Sequence, residues 1–181
     1  MTIYNTSSDS ANTMIRAFLT KIGEEYLGHS FNTGSGKGKE IWTRIKEKTF
    51  NKKCAFCGSL SENLTMEHLI MFNRDQCGLR HPGNIVPCCK SCNKRLRHSD
   101  TKKYYDWVEQ LEAVCNTIED LKIRKKKILK HIKDEKYPDL TDDEVNALRS
   151  VAMSLYERTS SELEKSINLF KDIDKTLVRR R

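Results

Sequence analysis

Two Cys-x-x-Cys pairs, Cys54-Ala-Phe-Cys57 and Cys89-Lys-Ser-Cys92, constrain this chain more than any other feature. A pair so spaced presents two thiols to one ion, and two pairs complete the closed tetrahedral set that structural zinc prefers. The cysteines number seven, and an odd count does not suit a disulfide framework. Cys88 beside the second pair offers an alternative Cys88-x3-Cys92 frame, while Cys77 and Cys115 read as free thiols. Zn²⁺ is therefore the first expected cofactor, in a structural role.

Residues 50–100, which hold both pairs, form the expected core module. Asn63-Leu-Thr-Met-Glu-His-Leu-Ile70 reads as a strand carrying Glu67-His68, followed by a polar loop over 71–83. Asn84-Ile-Val-Pro87 reads as a second short strand, and the second cysteine pair leads through Asn93 into an expected basic helix over 94–98. Around this module the periodicity is helical. Residues 12–27 place Met14, Ile15, Phe18, Leu19, Ile22 and Tyr26 on one face, with Ser10 and Asn12 as candidate caps and Gly28 as the stop. The Gly/Lys-rich stretch 28–39 reads as a flexible linker, since it lacks the P-loop pattern, and a short helix is expected over 40–48. From 101 an apolar seam runs through Trp107, Leu111, Val114, Ile118, Leu121, Ile128 and Ile132 to Tyr137-Pro138. Thr141-Asp-Asp-Glu144 is a capping box that opens a second long helix bearing Val145, Leu148, Ala152, Leu155, Leu163, Ile167, Phe170 and Leu177. The two helices are expected to form an antiparallel hairpin. The fold expectation is α+β in three parts: an N-terminal helical segment (1–49), the core (50–100), and a C-terminal helical hairpin (101–181) that contacts nucleic acid or dimerises.

The order CAFC, MEHLI, HPGNIVPCCKSCN resembles the HNH endonucleases of the zinc-stapled type, over roughly a quarter of the chain. That resemblance implies a ββα-metal core and hydrolysis of DNA phosphodiester bonds, with a place in prokaryotic restriction or defence. It implies His68 as general base, suited to take a proton near neutral pH. Asn84 or the backbone near it would orient the imidazole. Glu67 and Asn93 would supply oxygen ligands to Mg²⁺ or Mn²⁺, although Glu67 points to the opposite face of its strand from His68. Lys94, Arg95, Arg97 and His98 would contact DNA. This sequence has Glu67 where Asp is commoner and Leu96 where many relatives carry Lys, which leaves open how the following helix grips phosphate. His81 reads as a loop residue.

The chain of 181 residues carries a formal charge of +8, which favours polyanionic partners, DNA first. The basic run Leu121-Lys-Ile-Arg-Lys-Lys-Lys-Ile-Leu-Lys-His-Ile-Lys133 is a second candidate DNA contact, against the plainer reading of a solvated helix face. No apolar run approaches the roughly 18 residues of a membrane span, and no signal-peptide pattern opens the chain, so a cytoplasmic protein without membrane partners is expected. The apolar seam suggests a homodimer. Two rival readings remain: a zinc-dependent nucleic-acid-binding module without catalysis, and a nuclease subunit controlled by a regulatory protein partner.

Overall fold

The computed structural model describes residues 6–178 and is of the α+β class, with five α-helices and a two-stranded antiparallel sheet among those residues. Helix α1 (Ser7–Leu27) starts earlier than the periodicity suggested. Thr6, not Ser10 or Asn12, is its N-cap, accepting from the Asp9 N–H at 3.2 Å. Its C-terminus falls at Gly28 as expected. Helix α2 (Gly36–Arg44) begins inside the glycine-rich stretch and passes into one π-helical turn, Ile45–Thr49. The linker is thus confined to the residues between Gly28 and Ser35, and Phe31 within it is buried.

Strands β1 (Thr65–His68) and β2 (Ile85–Cys88) pair with Glu67 opposite Val86 and His68 opposite Ile85. A 3-10 turn, Pro82–Asn84, leads into β2. The main core is assembled from pieces distant in sequence: Phe31, Ile45, Phe50, Phe56, Leu69, Ile85, Leu111 and Ile128 pack as one cluster. Burying these side chains is the main drive holding the short hairpin in place, since two strands alone are marginal in water.

The expected basic helix over 94–98 does not form. After Cys92 the chain turns, runs extended, and makes an isolated β-bridge between Arg97 and Tyr104. Five residues cover little more than one helical turn, which seldom repays the entropy of nucleation. Backbone partners instead fix the extended form: Leu96 N–H donates to Gln110 Oε1 at 2.9 Å and Tyr105 N–H to Leu96 O at 3.0 Å. The helix after the hairpin is α3 (Trp107–Val114), opened by an Asp106/Glu109 capping box.

The C-terminal arrangement also differs from the expected hairpin. The seam from Trp107 to Ile132 is split between α3 and α4 (Ile118–Asp134), because Thr117 caps a new helix by accepting from Asp120 N–H at 3.1 Å. The long α5 (Asp142–Val178) opens with the predicted Thr141/Glu144 box, but its principal partner is α1, not α4. Ile15 and Leu19 of α1, Ala152 of α5, and Cys77 and Leu79 of the β1–β2 loop form a second buried cluster. The cysteine-rich module is therefore braced from outside by both terminal helices. Gly23 permits this closeness, as a Cβ there would lie 2.5 Å from the Arg80 carbonyl oxygen. No described helix is long and apolar enough to cross a membrane.

Candidate metal centre and active site

Each cysteine pair sits on a similar turn. Gly58 N–H donates to Cys54 O at 2.9 Å, and Asn93 N–H donates to Cys89 O at 3.0 Å, so both thiols of each pair face the same side. Gly58 takes φ +70°, a left-handed conformation that suits glycine at the close of the first turn. Ala55 N–H donates to Pro87 O at 2.8 Å and docks that turn on β2. The sulfurs of Cys54, Cys57, Cys89 and Cys92 then lie within 4.8 Å of one another, a cluster able to hold a metal ion. Four thiolates at about 2.3 Å from a tetrahedral ion stand about 3.8 Å apart. The Cys57–Cys89 separation is 3.7 Å. The donor set and spacing fit.

Cys88 is not a member of this cluster. Its side chain is fully buried beside Cys54; the hydrogen bond it gives Cys54, together with burial, pushes its thiol pKa well up. The same bond from Cys88, helped by the backbone N–H groups of Cys89, Cys57 and Phe56, lowers the pKa of Cys54. None of the seven cysteines is in a disulfide, and the buried Cys77 and half-buried Cys115 stand outside the cluster.

His68 ends β1 at the opposite end of the hairpin pairing from Thr65 and Cys88. Its ring stacks on Phe72, centroids 4.9 Å apart and planes 12° off parallel. Its Nε2 is buried and has no hydrogen-bond partner among the described residues. Burial, then the guanidinium charges of Arg80, Arg95 and Arg16, lowers the imidazole pKa to about 4. The ring is accordingly neutral at physiological pH, with a lone pair to offer.

Asn84 makes no hydrogen bond to that ring. Its carboxamide is 1% exposed and fully committed to backbone: Oδ1 accepts from Ile70 N–H at 2.8 Å, while Nδ2 donates to Ile70 O at 3.0 Å and Leu79 O at 2.9 Å. Its own carbonyl accepts from Leu69 N–H at 2.8 Å. Asn84 thus fixes the chain leaving His68 and acts on the ring only through that backbone. Two histidines brace the Asn84 turn. His81 Nδ1 accepts from Gly83 N–H at 3.1 Å, and His131 Nε2 bridges Pro82 O at 3.2 Å and Ile85 O at 3.0 Å. The role of His131 was not visible in the sequence, because it depends on a turn meeting a helix remote along the chain, whereas His81 acts within its own turn. A histidine in the middle of an otherwise basic helical run was the available hint at His131.

Glu67 and Asn93, the expected oxygen ligands, each hold a protein partner. Glu67 Oε1 accepts from Arg95 Nη2 at 2.8 Å, and Asn93 Nδ2 donates to Thr65 Oγ1 at 2.8 Å. Burial outweighs the attraction of Arg95, so the pKa of Glu67 is raised. Arg95 is the chief departure among the expected DNA contacts. Its side chain is 3% exposed, and it also donates to the carbonyls of His68 and Leu69, at 2.6 and 3.0 Å. Arg95 is an internal clamp behind β1 and presents nothing to a ligand. Lys94 and Arg97 are exposed, and His98 lies 3.4 Å from Glu109. Of the basic run on α4, Arg124 pairs with Asp120, Lys130 pairs with Asp134 and Lys127 lies over Phe50, while Lys122, Lys125, Lys126 and Lys133 are in no ion pair among the described residues; Ile128 and His131 are buried. No protein-family model, curated protein or solved structure matches the chain.

Proposed function

We propose that the protein is a metal-dependent endonuclease that hydrolyses DNA phosphodiester bonds, with His68 as general base and a structural Zn²⁺ on Cys54, Cys57, Cys89 and Cys92. The observation that carries this reading is the His68 imidazole itself. A neutral ring with an unpaired buried nitrogen sits among three arginine charges, at the end of a hairpin stapled by four thiols. A base with a spare lone pair in a cationic setting suits the deprotonation of water beside a phosphodiester. An arriving phosphate would offset the arginine charges and raise the imidazole pKa towards its ordinary value, making it a better proton acceptor.

In this reading β1, β2 and α3 are the ββα unit, and the zinc holds the hairpin without taking part in chemistry. Asn84 positions the loop behind the base. Mg²⁺ or Mn²⁺ would supply charge neutralisation at the leaving oxygen, with Glu67 and Asn93 as its oxygen donors. Both donors must exchange their present partners, Arg95 and Thr65, to serve. Because Nε2 is buried, access of the substrate to it requires the groups covering it to move aside. A dimer would place two such centres on one duplex. The distal part of α5 supports one, with Ile167, Phe170 and Ile173 exposed beyond the stretch where Ser8 and Ser7 of α1 bond Tyr156 and Glu164. Incubation of the protein with supercoiled plasmid, with and without Mg²⁺ or Mn²⁺, tests the proposal. Metal-dependent nicking or linearisation is expected, and an intact plasmid under all conditions would refute it.

A further inference from the structure

A cleft of about 870 Å³ opens between three segments that sequence order keeps apart. Its walls are the 97–104 turn with Arg97, Lys102 and Lys103, the loop after β1 with Asn73 and Asp75, and α5 with Arg149. Four cations face one carboxylate. None of the four is in an ion pair among the described residues, whereas Arg95, Arg124 and Lys130 are all paired. The charges are nonetheless held in place. Arg97 lies 4.0 Å over the Tyr104 ring and also hydrogen-bonds its hydroxyl. Lys102 sits at φ +57°, its Nζ on Ser99 O at 2.6 Å and its N–H on His98 O at 3.1 Å. Arg149 Nε donates to Asp75 O at 3.0 Å, which fixes the guanidinium in the wall.

We infer that this cleft is the track for the phosphodiester backbone of the DNA substrate. Four cations spread over two facing segments, the 97–104 turn and α5, exceed what one small anion can contact, and they match a chain that repeats its charge. The lining is polar and charged, which suits sequence-independent positioning. The cleft also adjoins the proposed base: Asn73 in its wall directly follows Phe72, whose ring stacks on His68. The inference rests on the nuclease reading for the direction of the strand. It moves the DNA contacts from Lys94, Arg95 and His98 to Lys102, Lys103 and Arg149, with Arg97 common to both sets.

The test is fluorescence anisotropy of a labelled DNA duplex with the full chain, without added Mg²⁺ or Mn²⁺, across a salt series. The triple variant R97Q/K102A/K103A and the single exposed substitution Lys103→Glu are compared with wild type and with K122A/K126A on α4. Zinc content and circular dichroism identify folded protein. The triple variant is expected to lose at least about ten-fold in affinity, with a log–log salt slope shallower by about 2 to 3, given about 0.9 per phosphate contact. Lys103→Glu should move the same way, and the α4 variant should stay within about two-fold, as its charges lie off the track. Unchanged affinity and slope in the folded track variants, or a loss carried by the α4 variant, would overturn the inference. If the track variants fail to bind while wild-type protein cuts no DNA with any metal, the track stands and the nuclease reading falls. If wild type cuts while the track variants bind normally, the reverse holds.

Discussion

Replacing Asn84 with Ala removes three side-chain hydrogen bonds at a site that is 1% exposed. The N–H of Ile70 and the carbonyls of Ile70 and Leu79 would be left in the interior without those partners. An ordinary bond contributes about 1 kcal/mol net, but a buried group stranded without a partner costs about 1–3 kcal/mol. Allowing for partial collapse and an entering water, the loss should be about 3–5 kcal/mol. For a chain of this size that corresponds to a fall in Tm of about 6–20 °C. Asn84→Asp should fare no better, because a carboxylate replaces two donated bonds with repulsion between oxygens. Differential scanning calorimetry on the zinc-loaded protein measures the effect, and hydrogen exchange at the Ile70 amide localises it. A Tm within about 2 °C of wild type would show that Asn84 is not the staple of the loop behind His68, since even one lost buried bond exceeds that.

Elemental analysis should find one zinc per chain. Cys89→Ser should abolish it and unfold the core, while Cys88→Ser should retain the ion; the opposite pattern would shift the site to the Cys88 frame. Stability should fall on acidification, because burial lowers the pKa of His81 to about 4 against 6.5 for the free side chain. Below 6.5 the unfolded chain takes up a proton that the folded chain refuses, so this contribution is complete above pH 6.5 and lost as pH falls towards 4. The loss amounts to about 2 kcal/mol at pH 5. Urea midpoints at pH 7.5 and 5 should therefore differ less in His81→Asn, which keeps an acceptor for Gly83 N–H without the titration; an unaltered difference would contradict the assignment. Light scattering should give a dimer mass that F170E/I173E reduces to monomer, and a monomeric wild type at micromolar concentration would rule out α5 as the interface.

Local chemistry was legible in the sequence where the deciding contacts are near neighbours. The cysteine pairs, the Gly28 stop and the Thr141/Glu144 box all follow from residues a few positions apart, and all stand in the structure as expected. The errors fall where a distant partner decides. Residues 94–98 carry helix-forming side chains, yet Gln110 and Arg95's clamp on β1 hold them extended. The seam on α5 predicts burial but cannot name the covering helix, and α1 takes the place assigned to α4. The resemblance gave Arg95 as a DNA contact because burial of an arginine against Glu67 and two carbonyls is invisible in one dimension. His131 was overlooked for the same reason, whereas His81, read as a loop residue, does lie in the loop and bonds within its own turn.

The central claim is that His68 is the base of a phosphodiesterase, and plasmid cleavage by H68A beside wild type tests it most directly. Both proteins should carry equal zinc, melt cooperatively and bind DNA alike, since the substitution leaves the cysteine cluster and the cationic cleft untouched. Wild type is expected to cleave with Mg²⁺ or Mn²⁺, and H68A to fall by about 10²–10⁴-fold, the usual cost of losing a general base. Wild-type turnover by folded, zinc-loaded H68A, or an inert wild type, would contradict the account.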